Sequence, residues 1–255
     1  MHYRHNHLTK VVLRLDHEPI AALSSLADTA TRPAFSDRIA ETFPHVTGQP
    51  TATLRINIGP TGSGMSPQAT GTQWFHRKAE TGTSVIVIDP AFTAIEYGKD
   101  DYEHFPTFRT EVAMVLNALR DLYNVPMFKR IGLRYINEIV MAAGNPLAWD
   151  GLISQELITA IKAAKPADSD MVRSMHQLHV RRNDCDMLFN YGLHNPDFPN
   201  SLARRAFVLD YDCARSGVES GDALTAIDQL NKFCESMFES SVGNDLREEM
   251  GVLND

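Results

Sequence analysis

Two arginines on one predicted strand are the residues best suited to recognise a ligand. Arg130 and Arg134 lie four residues apart in the segment 128–139, so they share a face at a separation of roughly 13 Å. At that spacing each guanidinium needs its own partner, and the two could clamp an anionic ligand or the carboxylates of a protein partner. The alternative is that they pair with acids of the same chain and brace the sheet. Asn137, near the end of the strand, is open to both interpretations.

Two aspartates are candidates for a metal. Asp210 and Asp212 are two residues apart on another predicted strand, so their carboxylates point to one face and could hold a divalent ion. The Gly-Ser anchor that usually accompanies such a pair in nucleotidyltransferases is missing, and most such pairs in acidic proteins belong to a solvated face or a turn. We therefore predict no metal and no other cofactor.

Trp74 is a candidate contact residue for a partner. It lies with Phe75 beyond a Gly-, Ser-, Thr- and Pro-rich segment, residues 59–71, which predicts a long loop. The segment lacks the Gly-Lys-Ser/Thr ending of a phosphate-binding loop. An exposed Trp74–Phe75 pair would mark an interface, whereas a buried pair would belong to the core.

The elements that position these residues are antiparallel strands and long helices. Alternating apolar residues predict strands at 10–15, 53–58, 73–78, 84–89, 128–139, 172–180, 186–193 and 206–212. Apolar stripes predict helices at about 105–123 and 222–238, a Ser36 cap and a Pro44 stop predict a short helix at 37–43, and a further helix is expected near 154–164. Because strands precede a helix in each half, we expect an α+β fold of two similar lobes, each a mainly antiparallel sheet packed by a long helix. The lobes would be residues 1–145 and 146–255, possible also as one compact unit.

Composition excludes several classes of protein. The 255 residues carry a net charge of -8, which disfavours general attraction to nucleic acid or to an anionic membrane. The three cysteines are widely spaced and form no C-x-x-C pair, as expected for reduced thiols of a cytoplasmic protein. Apolar runs such as residues 85–88 are too short to cross a bilayer. We expect a cytoplasmic protein without a membrane segment.

Several motifs together resemble a known family. They are Tyr3-x-x-Asn6-x-Leu8 at the start, Tyr102 and Phe105 before the long helix, the block Arg130-Ile-Gly-Leu-Arg-Tyr-Ile-Asn137, Leu209-Asp-x-Asp212, and Phe238-Glu239 with Leu246-Arg247 near the end. This combination resembles a sporadically distributed prokaryotic family of unknown function. The resemblance implies no particular activity. A patchy distribution is typical of accessory genes, such as those of antiphage defence or toxin-antitoxin systems.

These observations favour binding over catalysis. An enzyme should bring acids, bases and a pocket together, and the polar candidates here are scattered along the sequence. We expect a non-enzymatic binding or regulatory protein of an accessory system, acting on a protein partner or as a homo-oligomer. The alternative is a metal-dependent enzyme in which Asp210 and Asp212 hold the metal and Arg130 or Arg134 binds a phosphate-containing ligand. A homo-oligomeric scaffold is compatible with either function.

Overall fold

The structure is a computed structural model that describes residues 2–24, 33–59, 62–142, 144–163 and 170–253. The side chains of residues 2, 52–70, 252 and 253 lie outside that description. The fold is mixed α/β, with a large antiparallel sheet and several helices. No helix in the described ranges is long and apolar enough to span a membrane.

Eleven strands are found in the described residues. They are β1 (His2–Tyr3), β2 (Leu8–His17), β3 (His45–Gly59), β4 (Gly62–Arg77), β5 (Val85–Ile88), β6 (Phe92–Gly98), β7 (Met127–Met141), β8 (Ser174–Arg182), β9 (Cys185–Leu193), β10 (Arg205–Glu219) and β11 (Val252–Leu253). Nine of them hydrogen-bond in the order β3-β4-β5-β6-β2-β7-β10-β9-β8, and β1 pairs with β11.

Six α-helices accompany these strands in the same part of the chain. They are α1 (Ala21–Ser24), α2 (Ala34–Ile39), α3 (Phe105–Tyr123), α4 (Gln155–Ala163), α5 (Ala223–Ser241) and α6 (Asn244–Met250). Helix α3 shows why the local sequence folds this way. Pro106 is tolerated in the first turn, His104 Nδ1 accepts a hydrogen bond from the Thr107 amide at 3.3 Å, and Asn124 ends the helix in the left-handed conformation.

Chain contacts divide the molecule into two compact units. The terminal unit holds both chain ends and comprises residues 1–11, 133–215 and 228–255. The central unit comprises residues 12–132 and 216–227. Strands β2, β7 and β10 each contribute residues to both units. Each unit is described separately below.

The terminal unit has an aromatic row on one face of its sheet. The rings of Tyr211 and Phe189 stack at 4.7 Å, those of Phe189 and Tyr191 at 4.9 Å, and those of Tyr191 and His176 at 5.2 Å. Tyr211 and Phe189 are direct cross-strand neighbours, as are Tyr191 and His176, whereas Phe189 and Tyr191 lie two residues apart on β9. Aromatic cross-strand pairs contribute about 0.5–1.5 kcal/mol each beyond their burial, so the row fixes the register of the three strands.

The central unit packs α3 against strand β6. Phe108 of α3 meets Tyr97 of β6 edge to face, with ring centroids 5.4 Å apart. Beside this contact, Lys78 Nζ donates to Glu111 Oε1 at 2.6 Å, and the same ammonium lies 4.9 Å from the centre of the Tyr97 ring. Five residues of the predicted apolar stripe of α3 are buried, whereas Leu122 at its end is 40% exposed; the five are Phe108, Val112, Val115, Leu116 and Leu119.

One predicted connection is wrong in part. The sequence predicts a loop at residues 59–71, but β4 begins at Gly62 and pairs along its whole length with β3. Residues 60 and 61 lie outside the described residues. Backbone hydrogen bonds to a neighbouring strand do not depend on side chains, and tertiary pairing therefore overrides the weak strand propensity of Gly and Ser. A register shift between Thr51 and Ala52 accommodates the irregular sequence. The predicted division into two similar lobes at residue 145 stays a prediction.

Candidate functional site

A solvent-accessible sheet face of the terminal unit carries the main cluster of candidate residues. Strand side chains alternate between two faces, and one face is turned toward α5, since Tyr135 Oη donates to Asn231 Oδ1 of that helix at 2.8 Å. We call the opposite side the open face. It consists of Arg134, Ile136, Glu138 and Val140 of β7, Val208, Asp210, Asp212 and Ala214 of β10, Asp186, Leu188, Asn190 and Gly192 of β9, and Met175, Gln177, His179 and Arg181 of β8.

A row of hydrogen-bonded polar side chains crosses the open face. Arg134 donates to Asp210 in bidentate fashion, with Nε–Oδ1 and Nη2–Oδ2 distances of 2.8 Å each. Asn190 Nδ2 donates to Asp210 Oδ2 at 3.2 Å, and Gln177 Nε2 donates to Asn190 Oδ1 at 2.8 Å. Asn190 is the direct cross-strand neighbour of both Asp210 and Gln177. This polar row therefore links β7, β10, β9 and β8 through side chains.

Asp210 is the buried centre of the polar row. Its side chain is 9% exposed, whereas that of Arg134 is 44% exposed. The hydrogen bond to Asp210 raises the pKa of Arg134. A bidentate guanidinium–carboxylate pair is geometrically specific, so Arg134 is committed to Asp210. For this arginine the structure realises the bracing alternative considered from sequence.

A second charged group lies on the open face, toward the β8–β9 turn. Arg181 Nε donates to Asp186 Oδ1 at 2.6 Å, and His179 Nε2 lies 3.6 Å from the same oxygen. The hydrogen bond from Arg181 lowers the pKa of Asp186. Because these side chains are well exposed, the pair is held weakly and its groups can exchange partners.

The open face has an acidic balance and two exposed apolar residues. Its carboxylates outnumber its guanidinium groups by four to two: Glu138, Asp186, Asp210 and Asp212 against Arg134 and Arg181. Leu188 is 36% exposed and Val140 is 41% exposed. Acidic groups around exposed aliphatic side chains are typical of a protein-contact surface.

The structure offers Asp210 little freedom to bind a metal. Both of its carboxylate oxygens already accept hydrogen bonds from Arg134. Asp212 is half-buried on the same face. Among the described residues, no group of three or more His, Cys, Asp or Glu side chains is arranged to hold a metal ion. Asp210 thus has the geometry of a structural acid.

Asn137 is buried in the terminal unit. It is 7% exposed, and its Nδ2 donates to the backbone carbonyl oxygen of Leu209 at 3.4 Å. This hydrogen bond links β7 to β10 directly beside the polar row. A docked partner would not reach Asn137, and its contacts are those of a strand tether.

The two remaining candidates lie in the central unit. Arg130 is half-buried, and its guanidinium lies over Gly132, where an added Cβ would be 2.4 Å from Nη1. Trp74 is 2% exposed, so the structure places it in the core and not at a surface. Its buried neighbours of the same strand face, Thr72 and His76, show that this face of β4 points inward.

Sequence reasoning missed Asn190 and Gln177. Asn183 and Asp184 form a two-residue turn between β8 and β9, with Asn183 in the left-handed conformation. Counting outward from that turn pairs Gln177 with Asn190. An Asn-Asp turn between two alternating segments was therefore the signal that could have found them.

Residues of the family resemblance from both chain ends also meet in the terminal unit. Tyr3 Oη donates to the Glu239 carboxylate at 2.9 Å, and Arg247 Nε lies 3.4 Å from Glu239 Oε2. Tyr3 and Phe238 contact edge to face at 6.1 Å. The motifs at the two ends thus form one contact cluster that holds the termini together.

Tyr3 predicts a pH dependence of stability. Burial and the hydrogen bond to Glu239 raise its pKa from 10.0 to about 12. A raised pKa in the folded state stabilises the protein fully below pH 10, and this contribution is lost as the pH rises through about 12. Two pKa units correspond to about 2.7 kcal/mol, and partial solvation of the ring reduces this value. We therefore expect the free energy of unfolding of Tyr3→Phe to fall by about 1 kcal/mol less at high pH than that of the unchanged protein. Urea unfolding of both proteins between pH 9 and pH 12 measures it; parallel curves would contradict the assignment.

Comparisons with known proteins do not identify the chain. No known protein family matches it, and no curated protein matches it. The solved structure of crystal form III of TP0453 aligns over 89% of this chain and 96% of that chain, with 8% sequence identity and a TM-score of 0.13. A likeness at this level carries no argument about fold or function.

Proposed function

We propose that this chain is a non-enzymatic binding or regulatory protein whose open face docks a basic segment of a protein partner. The observation that carries the proposal is the polar row itself. It braces four strands into a rigid platform, and it leaves neighbouring carboxylates and aliphatic side chains accessible. Binding sites built on strands hold their geometry better than sites on loops.

The charge of the face selects the chemistry of the partner. Arg134 and Arg181 already have carboxylate partners, Asp210 and Asp186. The face carries four carboxylates and two guanidinium groups, in a chain whose net charge is -8. Such a surface attracts Lys- and Arg-rich segments and repels acidic ones. Leu188 and Val140 supply apolar contacts that such a segment can cover.

The biological setting extends the same proposal. The resemblance given by the terminal motifs and the Arg130–Asn137 block supports an accessory system, such as antiphage defence or toxin-antitoxin control. In such systems an acidic protein can neutralise a basic one. We also propose that the protein has two similar lobes, forms a homo-oligomer and is located in the cytoplasm.

Site-specific photocrosslinking tests the docking proposal. A photoreactive amino acid is placed at Leu188 on the open face and, as a control, at exposed Ser236 on α5, and the protein is irradiated in its own host. We expect position 188 to capture a protein through a Lys- or Arg-rich segment, and position 236 not to capture that protein. Equal capture at both positions, or capture through an acidic segment, would contradict the proposal.

Binding of the captured partner, once purified, provides the quantitative test. Glu138→Lys combined with Asp212→Lys reverses the surplus charge and should weaken the affinity at least about 10-fold, more so at low salt. The matched control is Glu248→Lys with Glu249→Lys on exposed positions of α6, which should change the affinity by less than about 2-fold. Equal effects of the two double variants would show that net charge, and not the open face, determines binding.

A further inference from the structure

A cationic cavity lies on the other side of the same β8–β9 hairpin. Its volume is about 300 Å³, and it lies between the hairpin turn, the end of β10 and helix α5. Three of its lining side chains are cations, Arg182, Arg215 and Lys232, and one is a carboxylate, Asp184. The cavity is therefore positive in a chain whose net charge is negative.

Each of the two arginines of the cavity is held in place by a neutral side chain, and Arg215 also lies near one carboxylate. The Arg182 guanidinium lies 4.5 Å above the centre of the Phe233 ring. Arg215 Nη1 donates to Gln229 Oε1 at 2.8 Å, and its Nη2 is 3.5 Å from Asp184 Oδ2. A guanidinium stacked on a ring or fixed by an amide keeps donors for a further acceptor. Both groups are thus positioned before a ligand arrives.

Charge compensation in the cavity is incomplete. The carboxylate nearest to Arg215 is that of Asp184, whose side chain is 79% exposed. Within the described part of the chain, neither Arg182 nor Lys232 has a carboxylate or hydrogen-bond partner. A concave site that gathers three cations around one solvated acid favours a compact anion with several acceptor oxygens.

We propose that this cavity binds a small phosphate-containing ligand, a phosphomonoester held by Arg182, Arg215 and Lys232. Two guanidinium groups can each bind a phosphate bidentately, and the Lys232 ammonium adds a point charge. A volume of about 300 Å³ admits the phosphate and part of the group that carries it. The site shares no residue with the open face and does not depend on the docking proposal.

Titration calorimetry on the whole chain tests the site. The probes are inorganic phosphate, a hexose phosphate and a nucleoside monophosphate. We expect at least one probe to bind with a dissociation constant below about 1 mM. Arg182→Gln combined with Lys232→Gln should weaken that binding at least about 10-fold, a loss of about 1.4 kcal/mol. Both positions are exposed, so the variant should fold, which its circular dichroism melt checks.

The neighbouring arginine provides a matched control. Arg181 precedes Arg182 in the sequence but points to the open face, so Arg181→Gln should leave phosphate affinity unchanged within about 2-fold. The order of affinities among the three probes distinguishes a bare phosphate from a sugar-bound or nucleoside-bound one. A dissociation constant above about 1 mM for every probe, or equal weakening by Arg181→Gln and by the Arg182→Gln and Lys232→Gln double variant, would overturn the proposal.

Discussion

Replacing Arg134 by Met should destabilise the protein by about 2–3 kcal/mol. The Asp210 side chain is 9% exposed. After the substitution, the only hydrogen bond that it keeps within the polar row is the one from the Asn190 amide at 3.2 Å. Breaking a fully buried ion pair costs about 3–5 kcal/mol because the remaining charge is unpaired. The Arg134 side chain is 44% exposed, so water screens part of the pair and the expected loss is smaller. Urea unfolding, read as a change in the free energy of unfolding, measures it.

A double-mutant cycle separates the pair from its packing. Asp210→Leu alone leaves the guanidinium without its acid, whereas Arg134→Met with Asp210→Leu removes both charges and should lie within about 1 kcal/mol of the unchanged protein. Arg181→Met is the control, because it breaks the exposed Arg181–Asp186 pair and should leave stability nearly unchanged. Arg134→Met is expected to cost more than this control; if it costs no more than Arg181→Met, the polar row does not brace the sheet.

Local signals in the sequence predicted most of the secondary structure. Helix α3 and the body of α5 follow from apolar residues at three- and four-residue steps, and β9 follows from its alternation. These patterns depend on residues close together in the chain. The first half of β4 could not be predicted, because its strand conformation depends on pairing with β3 and its own residues favour turns.

The partners within the candidate site could be predicted only in part. Alternation placed Arg134 and Asp210 on strand faces, but it could not show that β7 and β10 are neighbours 76 residues apart in sequence. The same limit applies to the cavity. Arg182 comes from a strand, and Lys232 comes from a helix, so nothing in the local spacing of either residue indicates that they share a wall.

Gly192 is the position where a single methyl group should have the largest effect on the β8–β9 hairpin. Its φ is +138°, a conformation that residues with a side chain rarely adopt. A Cβ atom there would lie 2.0 Å from the backbone carbonyl oxygen of Ser174 on β8. Because the atom it meets is backbone, the clash cannot be relieved by turning a side chain. We expect Gly192→Ala to lower the free energy of unfolding by more than about 3 kcal/mol.

The loss should be concentrated in β8, the last strand in the pairing order. Hydrogen exchange at the amides of β8 should accelerate more than exchange at those of β10, because β9 is the only strand that pairs with β8 among the described residues. Gly217→Ala is the control. Its φ is +64°, and no atom lies within 4 Å of the added Cβ, so it tests conformational strain without a clash and should cost about 1–2 kcal/mol. Equal losses of unfolding free energy in the two variants would mean that β8 moves away from the added methyl group without a further loss of stability. A larger loss at Gly192 would show that the close approach of β9 to β8 stabilises the hairpin that carries Gln177 and Arg182.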